Sequence, residues 1–134
     1  MVPSRTFSDG GAHAVVPLEG RGHVDFAMQL SPLDPLYYGM LGTRAFSHLM
    51  LGEHLEAARW ARRAARAPGA HVLIAMIACA AEALAGDEEA SGAWAANVRE
   101  RNPVLSREDF FRSFPMKLAD VKARVSGALE RRGF

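Results

Sequence analysis

The sequence has little of what would mark a disulfide-bonded, membrane-spanning or strongly basic protein. Cys79 is the only cysteine, which excludes an intramolecular disulfide and a multi-cysteine metal site and is compatible with a reducing compartment. The longest apolar run, residues 72–81, is much shorter than the roughly 20 residues needed to span a bilayer. A formal net charge of +1 provides no global basic field, so composition argues against nucleic-acid binding.

Patterns typical of metal sites, phosphate loops and catalytic nucleophiles are also missing. The histidines show no ligand spacing with Cys79 or with paired carboxylates. Gly10-Gly11 lacks the lysine and hydroxyl of a phosphate loop, and no serine occupies a nucleophile elbow. The first residues do not lead into the apolar core of a secretory signal. We therefore expect a cytoplasmic, non-enzymatic protein without metal, cofactor or membrane association.

What the chain does contain is a 34-residue spacing in an alanine-rich background. Of its 134 residues, 49% are hydrophobic and 23% charged, which is typical of a soluble domain with its own core. Gly52 and Gly86 lie 34 residues apart, and so do Trp60 and Trp94. A small-residue turn that opens an alanine-rich helix at this period predicts a helix-turn-helix repeat.

Proline, glycine and capping residues divide the chain into predicted helices. Residues 1–23, which contain several prolines and glycines, are predicted to be irregular, and residues 25–30 to form the last turns of a helix. Four longer helices are predicted over residues 35–51, 53–67, 70–85 and 87–101. Ser106 with Asp109 forms a capping-box-like start for a short helix, and a final helix is predicted over residues 119–132.

These residues resemble the tetratricopeptide repeats. Small or turn residues fit the pattern in the first repeat (Ala45, Gly52, Ala57, Ala64, Pro68) and in the second (Cys79, Gly86, Ala90, Pro103). The resemblance implies an all-α, tetratricopeptide-like stack of helical hairpins over residues 24–134. It would contain two full repeats, a partial preceding helix and C-terminal capping helices. Such a scaffold implies a protein or peptide partner.

A narrower resemblance concerns three segments. Residues 30–35, the pattern Gly52-x-x-x-Glu56-Ala57, and residues 110–115 resemble the C-terminal repeat region of bacterial adenylate cyclase-like and winged-helix transcriptional regulators. This likeness implies a regulatory or scaffolding role, and it leaves a self-associating remnant of a larger regulator as an alternative.

The family geometry implies a mainly apolar concave groove. Its residues would be contributed by the first and third of the four longer helices (Phe46, Leu49, Met50, Leu73 and Met76). Such a groove suits a peptide or an amphipathic helix. The alternative is that the terminal helices fold over the groove and fill it, with Phe110, Phe111 and Phe114 as candidates.

Two polar features stand out from this apolar pattern. Arg44 and His48 lie four residues apart on one helix face, and the repeat period places Glu82 opposite His48. The predicted cluster is a set of buried groups that satisfy one another, a recognition site for a partner's carboxylate or chain terminus, or a catalytic group. A small-molecule or anion sensor that uses Arg44 and His48 is the rival function.

The second polar feature is a row of arginines on one face of the next helix (Arg59, Arg62, Arg63, Arg66). We interpret it as a solvated outer face, with an anion or nucleic-acid contact as the alternative. Trp60 and Trp94 are predicted to pack between repeats.

A self-association face is also predicted. Two repeats are fewer than the three or so usually needed for stability, so the first helix is expected to present an uncovered apolar side. Its candidate residues are Leu36, Tyr37, Met40 and Leu41, and a homodimer is the expected product.

Overall fold

The computed structural model describes residues 35–134, and the regular secondary structure of this part of the chain is helical, without strands. The all-α class is therefore confirmed. The predicted irregular segment 1–23 and the predicted helix at 25–30 lie outside the described residues. The six helices are α1 (Pro35–Met50), α2 (His54–Arg66), α3 (Val72–Leu84), α4 (Glu88–Arg101), α5 (Arg107–Ser113) and α6 (Ala119–Glu130). Each begins and ends within two residues of its predicted limits; α5, predicted to be stopped by Pro115, ends at Ser113.

The turns at Gly52 and Gly86 have the same hydrogen-bond pattern. Both glycines have a positive φ, 76° and 93°, which favours glycine because other residues rarely adopt it. The amide of Glu53 donates to the His48 carbonyl at 2.9 Å, and the amide of Asp87 donates to the Glu82 carbonyl at 2.9 Å. These turns end α1 and α3 and produce two helical hairpins, α1–α2 and α3–α4.

α3 lies at the centre of the fold. It packs against α1, α2, α4 and α6, whereas α4 has its main packing partner in α3. Every residue from Ile74 to Ala83 is buried, so the helix is enclosed around its whole circumference. Five of these ten residues are alanines, whose small side chains allow neighbouring helices to approach closely.

Two contacts show how closely these helices approach. A Cβ added at Gly42 in α1 would lie 3.0 Å from Cδ1 of Ile74 in α3. The Ser91 hydroxyl in α4 donates to the Cys79 carbonyl in α3 at 2.9 Å. Burial also raises the pKa of the Cys79 thiol, which favours its neutral form in this interface.

The C-terminal helices complete the same core. α5 begins with the predicted capping box, in which the Asp109 amide donates to the Ser106 hydroxyl and the Ser106 amide donates to the Asp109 carboxylate. The hydrogen bonds that the Ser106 amide and hydroxyl donate to the Asp109 carboxylate lower the pKa of Asp109. Phe110 is fully buried in the cluster that also contains the α3 residues. α6 adds apolar side chains to it, at Val121, Val125, Ala128 and Leu129.

Candidate functional site

Arg44 and His48 were predicted to cluster with Glu82, but in the structure the Glu82 carboxylate is bound by Arg62 instead. Glu82 is only 2% exposed, and its carboxylate accepts hydrogen bonds from Nε and Nη2 of Arg62 at 2.9 and 3.3 Å. Arg62 lies on α2, which packs directly against α3 and so brings the guanidinium to the buried carboxylate. This hydrogen bond raises the pKa of Arg62 above its ordinary value.

His48 and Arg44 have other contacts. His48 Nδ1 lies 2.6 Å from Oε1 of Glu53, five residues further along the chain and just beyond the Gly52 turn. The Arg44 guanidinium lies 3.9 Å from the centre of the Trp60 ring. The first two members of the predicted cluster are therefore engaged within the hairpin α1–α2.

Three of the four arginines in the row on α2 are exposed, as on a solvated face, but members of the row also bind other helices. Arg62 binds buried Glu82, as described above. Arg63 stacks 4.8 Å from the centre of Trp60 and donates to the Tyr37 hydroxyl at 3.4 Å. Arg59 pairs with Glu56 on the surface at 3.6 Å. Part of the row therefore ties α2 to α1 and α3, which the spacing of the arginines alone did not indicate.

The two tryptophans differ in burial. Trp60 is 8% exposed, and its ring lies beneath the guanidinium groups of Arg44 and Arg63. This arrangement combines apolar burial with attraction between cations and an aromatic face. Trp94 is half-buried and packs against the edge of the core. Both tryptophans pack against the core.

The predicted concave groove is largely occupied by the chain itself. Leu49 is 1% exposed and Met76 is fully buried, so these two side chains belong to the core and face no open groove. Phe46 packs against Phe114, with 5.7 Å between the ring centroids. Met50 and Leu73 are half-buried against the same core. Of the terminal aromatic residues, Phe114 therefore covers Phe46, one of the predicted groove residues.

The predicted self-association face is also partly internal. Leu41 is 1% exposed and belongs to the core, so it is unavailable to a second copy. Tyr37 and Met40 are half-buried against the core. Leu36, at 65% exposure, is the most exposed of the four predicted residues.

An apolar surface that sequence reasoning missed lies beside the Gly52 turn. An open depression there is lined by Gly52, Glu53, His54, Leu55, Glu56, Leu84 and Ala85, and we call these seven residues the turn surface. Leu55 is 75% exposed, and the neighbouring Leu51 is 45% exposed. The turn surface joins the start of α2 to the end of α3, so both hairpins contribute to it.

The surroundings of the turn surface are acidic in sequence. Residues 51–57 and 84–90 together contain five carboxylates and no lysine or arginine. Glu53 and Glu56 keep 45% and 43% of their side-chain areas exposed, although each lies near a basic group. Acidic residues also suit the first turns of α2 and α4, where they offset the positive end of the helix dipole.

Within residues 35–134, no helix has the length and apolar character required to cross a bilayer. The same residues contain no group of three or more histidine, cysteine or acidic side chains arranged to hold a metal ion. No family model matches the chain, and comparison with curated proteins and with solved structures gave no significant match. Any function must therefore be argued from the geometry.

Proposed function

We propose that the protein is a non-catalytic interaction module that binds a segment of another protein on the turn surface. The observation that carries this proposal is the exposure of Leu55, which leaves three quarters of a large apolar side chain beside an open depression. Apolar side chains grouped at a concave surface with a polar rim are typical of protein interaction sites.

The contents of the concave groove favour the turn surface over the groove as the binding site. A partner in the groove would have to displace Phe114 from Phe46 and open a core that contains Phe110. A partner on the turn surface would cover side chains that are already exposed. No rearrangement of the helices is then required, so less binding free energy is lost.

The tetratricopeptide-like arrangement is part of the same proposal. The 34-residue spacing of the two glycine turns supports it, as do their identical hydrogen bonds. We propose a regulatory or scaffolding role in the cytoplasm, as the resemblance to bacterial regulators implies. A sensor that uses Arg44 and His48 gains no support, because these side chains contact Trp60 and Glu53.

A co-precipitation experiment with matched surface variants tests the proposal. The wild-type protein, Leu55→Glu and Val104→Glu are each used to capture proteins from native cytosol. Val104 is 84% exposed and does not line the turn surface, so it is the matched control. We expect a captured protein that is lost with Leu55→Glu and retained with Val104→Glu. Equal recovery with both variants would show that the turn surface is not the binding site.

A further inference from the structure

We draw no further inference here: the strongest candidate, the turn surface between the start of α2 and the end of α3, belongs to the site already described, and because its carboxylates Glu53 and Glu56 are paired with His48 and Arg59, nothing in the structure shows what covers it.

Discussion

Glu82 is the one buried carboxylate among the described residues, and Arg62 on another helix binds it. Replacing Arg62 with alanine would leave this carboxylate without its arginine partner. Glu82 would stay buried at the α2–α3 contact and lose both of its hydrogen bonds from Arg62. Removing one partner of a fully buried ion pair costs about 3–5 kcal/mol, whereas an exposed pair is worth about 0.2–1 kcal/mol. Because the Arg62 side chain is 38% exposed, water screens this pair, and we expect a loss of about 2 kcal/mol.

The assay is urea unfolding followed by circular dichroism, with the free energy of unfolding obtained by linear extrapolation. The pKa of Arg62 is raised, so its stabilisation is fully present below the pKa of the unfolded chain and is lost only as pH rises through the folded value. A measurement near neutral pH therefore reports the full effect. Arg66→Ala changes an exposed arginine on the same helix and should stay within about 0.5 kcal/mol of the wild type.

A second substitution tests the cause of the loss. Adding Glu82→Leu to Arg62→Ala removes the buried charge, so the double variant should be more stable than Arg62→Ala alone. A single variant within about 0.5 kcal/mol of the wild type would refute the proposed importance of the pair. So would a double variant that is less stable than Arg62→Ala.

Three further predictions follow from buried or capped groups. Trp60→Ala should cost about 3 kcal/mol or more in urea melts, because the ring is 8% exposed; a loss below about 1 kcal/mol would contradict its packing role. Cys79, buried with a raised pKa, should react with a thiol reagent only as the chain unfolds, and rapid labelling under native conditions would contradict this. Asp109 has a lowered pKa, so the stability from its capping box should be present above the ordinary aspartate pKa and lost as pH falls through the folded value. Ser106→Ala should reduce this loss of stability at acid pH, measured by thermal melts at several pH values. An unchanged dependence of stability on pH would contradict the role of the capping box.

The helices were predictable because their limits depend on local chemistry. Gly52 and Gly86 stop two helices through their positive φ angles, and Ser106 starts a third through its hydroxyl. These signals act within a few residues and are visible without the tertiary structure. The position of each helix therefore follows from the sequence even where its contacts do not.

The side-chain partners were harder to predict because they depend on how the helices are oriented. The repeat period placed Glu82 near His48, but it could not show that Arg62 on α2 reaches the same carboxylate. The turn surface was missed for a related reason. Leu55 lies in the stretch that marks the repeat, and its exposure depends on which later helices cover it; α5 and α6 cover other surfaces.

The complete burial of α3 has a consequence for how the chain tolerates mutation. A helix at a protein surface usually shows a periodic pattern in which about half of its positions accept many residues. The stretch Ile74–Ala83 has no solvent-facing side, so substitution of its alanines by larger residues should be harmful at consecutive positions. A saturation library would then show one continuous intolerant block in α3. α4 offers the contrast, because Ala93 and Ala96 are exposed and should accept most residues.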